Sequence, residues 1–231
     1  MPDAPQTVIV TGAGSGIGLA IADRLASEGA RVIRLSRSAA PGVLPFDVTD
    51  ETAWEGLAHD GVTGLVHAAG IRERSPLVDT DVESFRRVLD TNATGTFLAL
   101  RWAARRPQQP GGEPAPLSVV TLSSAVVERL PEHQLAYNAS KAAINVLTRS
   151  AARELASAGV RVNAIAPGSI LTPMTEAGWA DDAHAARMRT EIPAGRPGTS
   201  EEIASVASFL LSDASSYMTG SVVTVDGGWA A

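Results

Sequence analysis

The chain has 231 residues, with 19 Lys and Arg against 25 Asp and Glu, and the resulting net charge of -6 argues against a general polyanion binder such as a nucleic-acid protein. Apolar residues make up 45% and charged residues 19%, the profile of a folded domain and not of a disordered chain. There is no cysteine, which excludes disulfides, thiolate metal sites and a cysteine nucleophile. The opening Met1–Gln6 has no basic-then-apolar signal region, and no stretch reaches the roughly 18 apolar residues of a membrane span, so a cytoplasmic protein that does not enter a membrane is expected.

Thr7–Thr11 is a short β-branched run that ends at Gly12, and Ile17, Ala20, Ile21, Ala22 and Leu25 follow at helical spacing up to Gly29. This reads as strand, glycine turn, helix. Ala30–Leu35 is a second strand. Arg37–Gly42 leaves hardly any room for a crossover helix, so the third strand near Val43–Phe46 is expected to be short or reached through an extended loop. Gly64–Ala69, Leu117–Leu122, Val160–Ile165 and Val222–Val225 complete the predicted strands, with helical patterns over Val82–Arg105, Leu135–Ala158 and Ser200–Leu211. Pro107–Pro116 is too rich in proline and glycine for a helix and reads as a mobile surface loop. Near-continuous apolar strands alternating with helices predict an α/β fold: a single domain over 1–231 with a doubly wound parallel sheet of about seven strands, covered by helices on both faces.

Gly12, Gly16 and Gly18 follow a strand and open a helix. A missing Cβ there allows a tight turn, close approach of a pyrophosphate and close helix packing, while the free N–H groups around Ser15–Ile17 face the phosphates. An acidic residue at the end of the second strand would bind ribose hydroxyls and repel a 2'-phosphate. The residues present are Ser36 and Arg37, which favours NADP(H) over NAD(H). Tyr137 and Lys141 are one helical turn apart and share a face. A phenol titrates near 10, and a unit charge about 4 Å away contributes roughly 4 kcal/mol at an effective dielectric near 20, enough to bring phenolate within reach of neutral pH. Ser124 follows a strand whose carboxyl end borders the ligand crevice, and Asn92 interrupts an apolar helical run where a buried amide needs partners. Each has a plain alternative: a chance Tyr-x-x-x-Lys, a turn serine, a helix kink.

In order, Thr11-Gly12-Ala13-Gly14-Ser15-Gly16-Ile17-Gly18, Asp47-Val48, Ala69-Gly70, Asn92, Ser124, Tyr137-Asn138-Ala139-Ser140-Lys141, Pro167-Gly168 and Thr172 resemble the short-chain dehydrogenase/reductases, and among them the 3-oxoacyl-(acyl-carrier-protein) reductases. The resemblance implies a Rossmann oxidoreductase that interconverts a ketone and a secondary alcohol. It implies a catalytic tetrad of Asn92, Ser124, Tyr137 and Lys141, with Tyr137 as acid/base and Asn92 ordering a water that relays protons. Cofactor contacts are implied at Gly12, Ser15, Gly16, Ile17, Gly18, Ser36, Arg37, Asp47, Val48, Ala69, Gly70, Tyr137, Lys141, Pro167, Gly168, Ile170 and Thr172. A homotetramer formed by helices near Asn92–Arg106 and Leu135–Ala158 is implied as well. Where the family usually has Asn-Asn-Ala-Gly, this chain has His67-Ala68-Ala69-Gly70, and His67 reads as a structural replacement. The alternatives are an NAD-linked alcohol dehydrogenase of the same family and a nucleotide-binding sensor without turnover.

The remaining candidates are weaker. Glu132 and His133 fall where the family's substrate loop lies, or are solvated. Arg72 and Arg74 attract an anionic substrate or form a polar rim, with Glu73 between them. Met174, Trp179, Met188 and Ile192 mark a segment at about 173–197, a substrate lid by resemblance or else core. Asp181-Asp182 reads as charge at a helix start, and no His, Asp and Glu cluster has metal-ligand spacing.

Overall fold

The computed structural model describes residues 6–38, 40–105 and 116–231. The predicted loop at 107–116 lies outside the described residues except for Pro116. The elements in chain order are β1 (Thr7–Thr11), α1 (Gly16–Ser27), β2 (Arg31–Ser36), β3 (Leu44–Pro45), α2 (Glu51–Glu55), β4 (Val62–His67), α3 (Val82–Leu89) and α4 (Gly95–Ala104), followed by β5 (Leu117–Leu122), α5 (Val126–Arg129), α6 (Leu135–Leu155), β6 (Val160–Pro167), α7 (Glu176–Trp179), α8 (Asp182–Glu191), α9 (Ser200–Leu211) and β7 (Val222–Val225). All strand pairs are parallel, and the sheet runs β3-β2-β1-β4-β5-β6-β7. The order reverses between β1 and β4, and that switch point is where open α/β sheets bind ligands.

Alternation along the strands builds two cores. Val8, Val10, Val66 and Val120 face α1 and α9 on one side, with Ile21, Leu25, Ile203 and Leu210. Ile9, Leu65 and Val119 face α4 and α6 on the other, with Leu98, Trp102 and Ala152. A sheet buried on both faces explains strands that are apolar nearly throughout. α9 is started by a capping box, in which Thr199 and Glu202 exchange side-chain and backbone bonds.

Several boundaries differ from the sequence reading, and two of the differences have a visible cause. β4 begins at Val62, because Gly64 is an interior position where a Cβ would stand 3.1 Å from Val8 and 3.2 Å from Leu211. β3 is short, as expected, at two residues, and a turn bridging Ala40 and Val43 leads into it. The single helix expected over Val82–Arg105 is divided by a π-helical turn, Asp90–Thr94, between α3 and α4.

Candidate active site

The carboxyl ends of β1, β2, β4, β5 and β6 open into a cavity of about 1690 Å³, more than a small-molecule site alone needs. Every predicted cofactor residue lines it, as do Ser124, Tyr137 and Lys141. Asn92 does not: it lies fully buried behind the wall.

The glycine turn fits a dinucleotide by shape. Gly12 has φ +68°, and a Cβ on it would fall 2.8 Å from the Ala69 backbone nitrogen. On Gly18 a Cβ would be 2.3 Å from the Gly12 carbonyl oxygen, so α1 packs against its own entry turn only without one. Ser15, the residue before α1, makes no side-chain cap, and no acidic residue occupies the first helical turn. The helix start therefore presents N–H groups and positive potential to the cavity, as an anion requires. At the far end of this groove Arg37 is exposed, Ser36 is half-buried, and the Asp47 carboxylate accepts from the Thr49 backbone at 2.9 Å and its hydroxyl at 2.8 Å. Those bonds, and then Arg37, hold Asp47 below the usual carboxylate range. On the opposite wall the Thr175 hydroxyl donates to the Ile170 carbonyl at 2.5 Å and accepts from the Thr172 backbone at 3.0 Å, which ties the stretch after β6 into a turn.

Tyr137 and Lys141 project from α6 into the same cavity, with the Lys141 Nζ 5.5 Å from the Tyr137 ring centroid. Lys141 is buried, donates to the Leu122 carbonyl at 2.6 Å, and burial lowers its pKa to about 8. The expectation that Lys141 brings the Tyr137 pKa down is not met. Burial holds Tyr137 above the usual phenol range, and the opposing influences are the Arg72 charge and a hydrogen bond with Ser124. The reason is desolvation: Lys141 is buried and Tyr137 half-buried beside it, and the ammonium is turned to a carbonyl.

Asn92 also differs from expectation. Its Oδ1 accepts from the Ile71 backbone at 2.8 Å, while Nδ2 donates to the Ile71 carbonyl at 2.9 Å and to the Ser140 hydroxyl at 2.9 Å. Both amide hydrogens are spent, so the side chain is a clamp that locks the loop after β4 to α6. The π-turn places it there, an arrangement common where a helix must re-aim one side chain. Ser140, which itself donates to the Tyr137 carbonyl at 2.8 Å, is not singled out by the sequence; its only signal there is a hydroxyl between Tyr137 and Lys141 on the buried face.

His67 is fully buried with Nδ1 3.1 Å from the Thr11 hydroxyl, a structural contact as expected, while Nε2 has no partner among the described residues. Burial, and then Lys141, lowers its pKa to about 3. The folded pKa lies below the ordinary value, so the unfolded chain binds a proton that the folded one refuses between about pH 6.5 and 3, and stability is lost as pH falls through that window, by at most about 5 kcal/mol. Urea unfolding midpoints should decline from pH 6.5 downward in the natural protein and decline less in His67→Asn. Equal declines would remove His67 as the cause.

Over the cavity, the segment 173–197 forms α7 and α8. Asp181 caps α8 by accepting from the His184 backbone at 2.7 Å, which is the expected helix-start charge. Met188 and Ile192 pack with Val126 and Trp229, whereas Met174 remains 47% exposed and Trp179 donates to the Ser169 hydroxyl at 3.1 Å. Glu132 and His133 are exposed residues on the cavity rim.

Comparison with known proteins agrees with this geometry. The family model described as enoyl-(acyl carrier protein) reductase matches residues 12–230. The chain is 38% identical to galactitol 2-dehydrogenase (L-tagatose-forming) of Cereibacter sphaeroides, over 95% of this chain and 93% of that one. It is 39% identical to a 3-oxoacyl-(acyl-carrier-protein) reductase of Mycobacterium bovis, over 98% and 94%. A gluconate 5-dehydrogenase from Burkholderia cenocepacia, solved in complex with NADP and tartrate, superposes with a TM-score of 0.89 at 28% identity, covering 97% of this chain and 94% of that one.

Proposed function

The chain belongs to the short-chain dehydrogenase/reductases, oxidoreductases that interconvert a ketone and a secondary alcohol, and on that footing we propose that it works with NADP(H) through Tyr137, Ser124, Lys141 and Asn92. The observation that carries the reading is the convergence of Ser124, Tyr137, Lys141 and the glycine turn on one cavity at the switch point of the sheet. The start of α1 would hold the pyrophosphate, Arg37 and Asp47 the adenosine, and Gly70, Lys141 and the turn Pro167–Thr172 the nicotinamide end. Bound nicotinamide dinucleotide supplies the hydride donor or acceptor.

This chain's own residues handle the proton. In the reducing direction Tyr137 gives its phenolic proton to the carbonyl oxygen, and Ser124 holds that oxygen by a hydrogen bond. In the oxidising direction the phenolate takes the hydroxyl proton. Lys141, anchored on the Leu122 carbonyl, would hold the ribose. Asn92 acts as a positioning residue that fixes Ile71 and Ser140; any water it orders must use acceptor lone pairs its clamp leaves free. The segment 173–197 closes over the substrate and excludes water.

The preference for NADP(H) rests on Arg37, an exposed guanidinium at the end of β2 where no carboxylate from β2 repels a 2'-phosphate. Arg37→Ala should lower kcat/KM for NADPH by about 10- to 100-fold and leave NADH nearly unchanged, as measured by absorbance of the reduced cofactor. An unaltered NADPH:NADH ratio would favour the NAD-linked alternative. NADPH binding without oxidation across a broad ketone panel would favour the sensor. A cytoplasmic homotetramer belongs to the same reading, supported by Phe97 on α4 and Val146 on α6, which are 45% and 62% exposed.

A further inference from the structure

The Asn92 clamp fixes Ile71, so the next residue, Arg72, leaves that anchor directly into the cavity beside Tyr137. Arg72 is half-buried, and its Nη2 donates to the Met174 carbonyl at 2.5 Å, which spans the opening between the loop after β4 and the segment 173–197. Arg74 lines the same cavity.

Several neighbouring charges are engaged elsewhere, while Glu83, Arg86 and Asp90, which also line the cavity, form no ion pair among the described residues. Glu73, between the two arginines, turns to Arg87 and accepts from its Nε at 2.8 Å and Nη2 at 2.9 Å. Arg129 and Arg187 share Glu191 at 3.5 and 3.7 Å, and Glu132 has His133 at 3.8 Å. Among the described residues, neither Arg72 nor Arg74 has a carboxylate within 4.0 Å. A guanidinium carries five N–H donors, and Arg72 uses one of them on a neutral carbonyl. Burial and the neighbouring Arg74 both disfavour its charge. Across the opening, His184 of α8 is depressed by burial and Arg187, and Arg74 and Arg72 add to that. Arg74 is exposed, but a half-buried guanidinium such as Arg72 without an anionic partner is costly unless an anion from outside completes it.

We propose that Arg72 and Arg74 form an anion subsite next to the reacting centre, so that the substrate is a small ketone or secondary alcohol bearing a carboxylate or a phosphate. This rests on the reading of the cavity as a ketone–alcohol site. The fork of Arg72 takes two anion oxygens, Arg74 closes the outer side, and the carbonyl to be reduced is thereby held at Ser124 and Tyr137.

Matched pairs test it in the full chain: 4-oxocyclohexanecarboxylate against its methyl ester, and dihydroxyacetone phosphate against dihydroxyacetone, each with NADPH. For at least one pair the anionic member should have kcat/KM about 100-fold higher, and which pair shows it tells carboxylate from phosphate. Arg72→Ala should lower kcat/KM at least about 30-fold more for the anionic member than for the neutral one, and Arg72→Lys should restore only part of that difference, since a point charge lacks the fork. A second measurement needs no turnover: calorimetric binding of cyclohexanecarboxylate and of inorganic phosphate, with cyclohexanecarboxamide as the neutral control, to the protein saturated with NADP⁺. Tight binding of one anion that weakens about 100-fold in Arg72→Ala supports the subsite, even if no ketone is reduced; that combination would sink the turnover reading instead. Equal binding and turnover of charged and neutral probes would overturn the proposal. So would an equal loss on both in Arg72→Ala, which would make Arg72 a positioning residue acting through Tyr137.

Discussion

Tyr137→Phe is expected to lower kcat/KM by about 10³-fold while leaving the dissociation constant for NADPH within about 3-fold of the natural protein. The substitution removes one oxygen and keeps the ring, which packs with Val126, Met188 and Trp229, so the cavity wall should survive. What disappears is the group proposed to give or take the proton. The same chemistry sets a pH dependence. Burial holds the Tyr137 pKa above the ordinary phenol value against the pull of Arg72 and Ser124, so phenolate is scarce at neutral pH and alcohol oxidation should accelerate as pH rises. Stopped-flow absorbance for turnover and fluorescence titration for binding separate the two effects. Turnover near the natural rate in the variant would remove Tyr137 from the chemistry, and parallel loss of NADPH binding would make its role structural.

Lys141→Met should move activity and stability in opposite directions. The ammonium is buried with a carbonyl partner, and its folded pKa of about 8 lies below the ordinary 10.5. Below pH 8 both states are protonated and the folded protein bears the whole burial cost. Between about pH 8 and 10.5 the unfolded chain holds the proton that the folded chain has released, so stability rises with pH across that window. Methionine removes the titration. The variant should be more stable at pH 7 by at most about 3 kcal/mol, less the lost bond to Leu122, and the gain should vanish by about pH 10.5. Turnover should fall by about 10²- to 10³-fold, because the group proposed to hold the nicotinamide ribose is gone. Urea unfolding at pH 7 and 10 checks the first half. A variant less stable at pH 7 would show that the lysine is a net strut, not a cost carried for function.

Much of the fold and of the site is legible in the order of the residues. β1 and β5 are apolar because both faces of the sheet are covered, so their composition locates them, and the glycine turn is marked by strand and helix on either side. Order and spacing single out Ser124, Tyr137 and Lys141, and all three face one cavity. Other features escape for physical reasons. Nothing in Asp90-Thr91-Asn92-Ala93-Thr94 announces a π-turn, since the extra residue is fixed by packing on either side. The direction of the Tyr137 shift depends on how far the fold buries the phenol, a tertiary property that spacing cannot supply. Along the chain Glu73 stands between Arg72 and Arg74; in three dimensions it turns to Arg87 instead.

The extra residue at Asp90–Thr94 has a heritable consequence. Each helical residue turns the chain by about 100°, so removing the bulge would rotate Leu98, Ala99 and Trp102 of α4 out of the sheet-facing layer at the same stroke that swung the Asn92 amide off Ile71. Hydrophobic phase and catalytic alignment are geared to one another there. A lineage could rewrite the loop beyond Ile71 to suit new substrates, but it could not delete that single step without losing its folded interior and its chemistry together.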